Sequence, residues 1–326
     1  MADSSDLYQN QTNVNAEYCK TRWPILLVHG VASRQAERFA YWGNIPQTLQ
    51  SYGAKVYISN QDAWGTYESN ARQLASEVME ILAENYPAST GGSTLSDAAA
   101  AAPAAAPAAA PAAAAPAKIN IIAHSKGGLD SRALATLPGM AEHIASITTL
   151  STPHFGLRTL NYVNIDSALV RNVLSTPLDI LLILSGDHNP SFVNVLHDLS
   201  ERAMHQFNAD HPLPKGIMLQ SYAAVNRKAT NNPAFALSVP LIQALEGDND
   251  GIVPAWSSEY GEFRGVLDSE GETGLSHEDI TNRDIIELLA RVVGIPYRNK
   301  NTLNRDGFDI LNWWVEMVAD LKKRGF

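Results

Sequence analysis

Ala123-His124-Ser125-Lys126-Gly127 holds a serine between two small residues, the pattern a sharp strand-to-helix turn needs to present a nucleophilic hydroxyl. Such a turn strains the serine backbone, and bulky neighbours would collide where strand and helix crowd together. Ala123 and Gly127 are small enough. A helix opening after Ser125 would bring free N–H groups and a helix dipole to bear on a developing oxyanion. The chemistry in view is nucleophilic acyl transfer, which also requires a base, an acid to orient it and a second oxyanion donor.

Chain order narrows the base. In folds built on such a turn the order is nucleophile, acid, histidine. Glu246-Gly247-Asp248-Asn249-Asp250-Gly251-Ile252-Val253-Pro254 is a turn dense in Gly, Asn and Asp. Asp248 and Asp250 both qualify by type, and Asp250 is preferred because Gly, an aliphatic pair and Pro follow it. The plainer alternative for this cluster is a solvated acidic turn or a cation-binding loop. Of nine histidines, only His277 lies beyond Asp250, in the polar loop Gly274–Asp279. His154, in Thr152-Pro153-His154-Phe155-Gly156, competes for the role but is better read as holding its own loop by hydrogen bonds.

The second donor is expected near the N-terminus. Trp23-Pro24-Ile25-Leu26-Leu27-Val28 is an apolar run with the look of a buried parallel strand, and it ends in His29-Gly30-Val31. The expected oxyanion donors are the backbone N–H groups of Val31 and Lys126, while His29 shapes the loop. Only main-chain atoms act here, so the Lys126 side chain is not called upon.

Five elements must position these groups. Strands are expected at Lys118–Ile122 before the serine, at Ile144–Leu150, at Trp23–Val28, and at Pro240–Leu245 leading into the acidic turn, with a helix from Gly128. The resulting fold class is α/β, a mostly parallel doubly wound sheet with an inserted helical cap. Between Phe155 and Lys215 the strand-helix alternation lapses. Asp179–Ser185 is apolar but too short to cross a membrane, and Phe192, Val195, Leu196, Leu199, Met204 and Phe207 have helical spacing. The alternative is that these stretches pack permanently on the core.

His29-Gly30-Val31, Tyr41-Trp42-Gly43-Asn44-Ile45-Pro46, Gly53-Ala54-Lys55-Val56-Tyr57, the turn at Ser125, Thr152-Pro153-His154-Phe155-Gly156 and Asp250-Gly251-Ile252-Val253 occur in that order. Together with Phe308-Asp309-Ile310 and Trp313-Trp314-Val315 they resemble the bacterial triacylglycerol lipases of the α/β-hydrolase superfamily. The resemblance implies hydrolysis of lipid esters through Ser125, His277 and Asp250, with residues of about 156–215 as a cap or lid over an acyl pocket. It also implies a lipid ester as substrate at an oil-water or membrane interface, no cofactor for the chemistry, and a structural Ca²⁺ held by Asp279 near the histidine loop. Asp284 and Asp306 are further candidates for that ion, although solvated surface acids are the competing reading for all three. Broad carboxylesterase, thioesterase or phospholipase activity with the same triad is the alternative within enzymes. A catalytically silent scaffold that binds a lipid or a partner is the alternative outside them. Ala123 stands where many members have Gly, and an Ala/Pro tract interrupts the chain before the nucleophile strand.

The 326 residues divide into a polar segment, 1–22, and one α/β-hydrolase domain, 23–326, carrying an Ala/Pro-rich insertion at 88–117. In that insertion Pro103, Pro107, Pro111 and Pro116 remove helix donors and clash with the preceding turn, so an extended linker is expected. It enters the nucleophile strand at its N-terminal end, away from the chemistry. The composition, 45% hydrophobic and 18% charged, suits a large buried core. A net charge of −10 argues against nucleic acid as a partner. Cys19 is the single cysteine, so no intrachain disulfide forms. No transmembrane run and no signal peptide are visible, which fits either a cytoplasmic protein or secretion without a recognisable signal.

Overall fold

The computed structural model describes residues 16–31, 41–87, 116–162, 197–232, 235–267, 272–283 and 307–326. Among these residues six strands make one sheet: β1 (Ile25–Val28), β2 (Val56–Ile58), β3 (Ile119–His124), β4 (Ile144–Leu150), β5 (Met218–Ala224) and β6 (Glu262–Leu267). Their order is β2-β1-β3-β4-β5-β6 and every neighbouring pair is parallel. Ala123 stands beside Val28 in register, and His124 beside Leu150. The carboxyl ends of the three central strands therefore converge on the serine turn.

Helices cover both faces: α1 (Ile45–Ser51), α2 (Tyr67–Asn85), α3 (Lys126–Thr136), α4 (Thr159–Tyr162), α5 (Glu201–Asp210), α6 (Ser238–Glu246) and α7 (Ile310–Lys323). Strand alternation divides the core. Leu26 and Val28 of β1 pack with α2, α3 and α5, whereas Ile25 and Leu27 pack with α1 and α7. Helix α2 starts where Thr66 caps the Ser69 N–H and lays Leu74, Val78, Ile81 and Leu82 on the sheet. Helix α7 starts where Asp309 caps the Asn312 N–H, and buries Trp314, Val315, Val318 and Leu321. Full burial of each such side chain contributes about 1.5–3 kcal/mol, so the stripes outweigh the helices' intrinsic propensity.

Residues 16–22 pack against the domain. Cys19 is buried and its Sγ–H donates to the Val315 carbonyl, the Arg22 N–H donates to the Phe326 carbonyl at 2.8 Å, and the Tyr18 hydroxyl donates to Glu316. The other end of the sheet is handled differently. β6 is an edge strand whose Glu262 and Arg264 pair with each other and with Arg324 and Asp320, a charged edge that discourages strand addition.

One strand assignment is corrected. Pro240–Leu245 lies in helix α6, not in a strand, and the sheet's strand after β5 is Glu262–Leu267. A six-residue, mostly apolar run does not distinguish the two by periodicity. Only Val239 and Ile242 are buried in α6, the one-sided spacing of a surface helix, and Pro240 falls in the first turn where it is tolerated. The Ala/Pro tract lies largely outside the described residues, as do residues 163–196 of the expected cap. Of the cap's flanks, α5 is part of the core: Met204 and Phe207 are buried, and Phe207 meets Tyr67 edge-on at 4.9 Å.

Candidate active site

Ser125 sits between β3 and α3 with φ 55° and ψ −133°. A serine in this region carries strain of about 1–3 kcal/mol. Its backbone is pinned on both sides: the Ser125 N–H donates to Leu150 O at 2.9 Å, and Thr152 Oγ1–H donates to Ser125 O at 2.8 Å. Two glycines make room. A Cβ at Gly127 would lie 2.4 Å from the His29 carbonyl oxygen, and one at Gly30 would lie 2.8 Å from Ser125 Cβ. Both contacts are far inside van der Waals range, so the loop after β1 reaches the serine only because these side chains are missing.

That loop carries Val31. Val31 is half-buried and Lys126 is buried, and among the described residues no acceptor is assigned to either main-chain N–H. The loop is held by its own polar groups: His29 Nδ1–H donates to Gly30 O, and Gln61 Nε2–H donates to His29 O, both at 2.8 Å. Burial pushes the His29 pKa down to about 4, keeping the ring neutral. The Lys126 side chain turns away into a buried ion pair with Asp130 at 2.7 Å, which Asn70 Nδ2–H also bonds. The Lys126 ammonium is thus engaged by Asp130, which leaves its backbone as the part available to the serine.

Tyr41 and His124 complete the support, and sequence reasoning missed both. The Tyr41 hydroxyl accepts from the Gly30 N–H at 2.9 Å and donates to His124 Nδ1 at 2.5 Å. The end of β3 is thereby tied to the loop after β1. Burial drives the His124 pKa well below the ordinary histidine value, with the neighbouring His277 adding to the effect. The two rings lie 4.4 Å apart between centroids, so a neutral His124 spares His277 a repulsive neighbour. A histidine ending a mostly apolar buried strand needs a polar partner, and that requirement was the available signal.

Asp250, not Asp248, meets His277. Asp250 Oδ2 accepts from His277 Nδ1–H at 2.7 Å, while Oδ1 accepts from the N–H groups of Ile252 and Val253 at 2.9 and 2.8 Å. The His277 N–H returns to Asp250 O at 2.9 Å. Charge-assisted bonds of this kind are each worth about 1.5–3 kcal/mol, enough to hold a fully buried carboxylate. Asp248 is exposed. Asn249 fixes the turn from inside, donating to Val239 O and accepting from the Gly251 N–H. Asp250 is thus reached from a helix rather than directly from a strand, with the Asn226 N–H donating to Asn249 O to tie the turn to the extension of β5.

His154 occupies a separate place. Its Nδ1 accepts from Arg132 at 3.2 Å, its Nε2–H donates to Thr149 Oγ1 at 3.0 Å, and it stacks on Tyr260. Both nitrogens are engaged in holding the loop after β4. Burial and the Arg132 charge force its pKa well down.

Asp279 is half-buried and engaged, not a freely solvated surface acid. Its Oδ2 accepts from the Ser276 N–H at 2.7 Å and from Asn231 at 3.3 Å, which clamps the histidine loop directly. Among the described residues no group of three His, Cys, Asp or Glu side chains is placed to hold a metal, whereas Ca²⁺ takes six or more oxygens. Asp284 and Asp306, the other two candidate ligands, lie outside the described residues. Asp279→Ala is expected to strand the buried Ser276 N–H, at a cost of about 1–3 kcal/mol, and to lower the melting temperature by a few degrees. Exhaustive EGTA treatment of the unaltered protein is expected to move neither melting temperature nor turnover. A calcium-reversible drop in scanning calorimetry would overturn this account.

The same loop leans on the last helix. Trp314 Nε1–H donates to Ile280 O at 2.8 Å, and Trp314 packs edge-on against Trp42, which in turn contacts His124.

A parallel sheet in this order, with a strained serine after its third strand and a histidine–aspartate pair on later loops, is an α/β-hydrolase fold. Residues 21–166 match the PGAP1-like alpha/beta domain. The chain's sequence relatives include proteins named triacylglycerol lipase. It is 33% identical over 231 residues to a protein of that name from Pseudarthrobacter phenanthrenivorans, covering 68% of this chain and 58% of the relative. A second, from Burkholderia plantarii, is 33% identical over 231 residues, covering 68% of this chain and 51% of the relative. The match thus spans little more than half the length of these curated relatives. The fold is similar to that of Staphylococcus hyicus lipase, with TM-score 0.56 at 17% identity over 95% of this chain and 98% of that one.

Proposed function

We propose that the chain hydrolyses carboxylic esters of lipids, triacylglycerol foremost, through an acyl-enzyme on Ser125. The observation that carries this reading is the Asp250–His277 hydrogen bond on the loops beside a strained Ser125. His277 takes the hydroxyl proton as Ser125 Oγ attacks the ester carbonyl carbon. Asp250, acceptor to Nδ1–H, fixes the tautomer and stabilises the imidazolium. The Val31 and Lys126 N–H groups receive the oxyanion. Collapse of the tetrahedral intermediate breaks the carbonyl–oxygen bond, and His277 returns the proton to the departing alcohol. Water then attacks the acyl-enzyme by the same route, freeing the fatty acid and restoring Ser125. No metal enters these steps. Similarity to proteins named triacylglycerol lipase supports the choice of substrate.

The test is a series of p-nitrophenyl esters from short to long acyl chains, alongside emulsified triacylglycerol and a matched thioester. Turnover of the long esters and of the emulsion is expected. Activity confined to short soluble esters would replace the lipase reading with a carboxylesterase. No turnover by a folded protein would favour the silent scaffold.

A further inference from the structure

Helix α6 presents an unusual surface. Leu237, just before its first residue, is 67% exposed, and Leu241 and Leu245 are 38% and 40% exposed. Spaced by four, these leucines line one side, and Pro240, Gln243 and Ala244 are exposed with them. No exposed position from 237 to 245 is charged, in a chain of net charge −10. The helix's single charged residue, Glu246, is turned inward: its carboxylate accepts from the N–H and the hydroxyl of Thr159, both at 2.5 Å. The nearest exposed charge along the chain is Asp248, just past the helix, whose carboxylate accepts from Gln243 at 3.4 Å.

Its position gives the face a use. α6 runs through Gly247 straight into the Asp250 turn, and its bond to Thr159 sets it beside α4 and the loop carrying Phe155, itself 38% exposed. Any layer lying on α6 thus borders the ends of the strands where Ser125 and His277 sit. The three leucines themselves can be buried in an uncharged apolar layer without desolvating an ion.

We propose that the leucine face of α6 is the surface by which this protein adsorbs to an uncharged lipid layer, bringing the layer to the rim of the Ser125 site. The proposal rests on the lipid-ester reading for its choice of partner, and its measurement needs no turnover. The probe is a vesicle of hydrolysis-resistant, ether-linked phosphatidylcholine, with partition followed by co-sedimentation of the full chain. Leu241→Ser combined with Leu245→Ser is expected to weaken partition by about tenfold or more. Phe263→Ser combined with Val266→Ser removes comparably exposed apolar residues from the edge strand β6 and is expected to change it by less than about twofold. Hydrolysis of soluble p-nitrophenyl acetate by the α6 pair, unchanged within about twofold, certifies its fold; if that pair does not fold, Leu237→Ser alone takes its place.

Equal losses in both pairs, or none in the α6 pair, would overturn the proposal. So would conversion of a dimer to a monomer by the α6 pair with partition unchanged, since the face would then cover a second copy of this chain. If wild type turns over no ester yet loses partition only through α6, the adsorption surface stands and the hydrolase reading fails. If soluble esters are hydrolysed and vesicles are ignored, the reverse holds.

Discussion

Ser125→Ala is expected to fold like the parent and to lose ester turnover by about 10⁴–10⁶-fold, because it removes the one atom that bonds to the acyl group. The backbone restraints at this position come from the Leu150 carbonyl and the Thr152 hydroxyl, not from the serine side chain, so stability is largely spared. A fluorophosphonate should add one adduct mass to the parent and none to Ser125→Ala. His277→Ala should fall nearly as far in kcat, and the double variant no further than the worse single, because the two groups act as a unit. His154→Ala should behave otherwise: it strips Arg132 and Thr149 of a shared partner and lowers thermal stability more than turnover. Labelling of Ser125→Ala equal to the parent, or a His154→Ala loss exceeding that of His277→Ala, would displace the assigned roles.

Acid is expected to unfold the protein over a narrow range. His29, His124 and His154 are buried and held neutral, His29 down to about 4 and the other two well below the usual histidine value. The unfolded chain takes up these three protons as pH falls through about 6.5, while the folded chain does not. The unfolded state then binds more protons, so stability rises with pH and is lost on acidification. Three groups give a slope of about 4 kcal/mol per pH unit below the unfolded pKa. Asp130 and Asp279, raised by burial, run the opposite way and offset part of the loss. A domain with about 5–15 kcal/mol in hand exhausts it within two or three pH units, so urea midpoints should be level above pH 7 and fall steeply between pH 6 and 4.5. His154→Gln should remove about a third of that slope. A midpoint unchanged from pH 7 to pH 5 would show that the three rings do not titrate as their burial demands.

What the sequence disclosed follows the range of the interactions involved. The serine turn was legible because its requirements are local: a strand, small neighbours and a helix start. Chain order and the single downstream histidine then brought His277 into view. Asp250 and Asp248 could not be separated by residue type, and their difference arises from two main-chain N–H groups that close only on the Asp250 carboxylate. The Tyr41–His124 bond joins residues 83 apart, and no periodicity announces such a partner. Pro240–Leu245 misled because mostly apolar runs of six fit either element, and tertiary context decided for a helix. β6 was passed over for the opposite reason: Glu262, Arg264 and Gly265 break the apolar signature, as an edge strand permits.

The two ends of the described chain are laced together, and this ties the site's fate to a seam made of very long-range contacts. Cys19 and Val315 are 296 residues apart, so their contact carries one of the largest loop-closure entropies in the molecule and contributes little until everything between them is in place. Local opening in proteins concentrates at such peripheral units. When α7 lifts, Trp314 leaves the Ile280 carbonyl, and the loop bearing His277 loses a restraint although the sheet is intact. Loss of function on mild heating should therefore run ahead of the loss of secondary structure, as an unlatching rather than a melting.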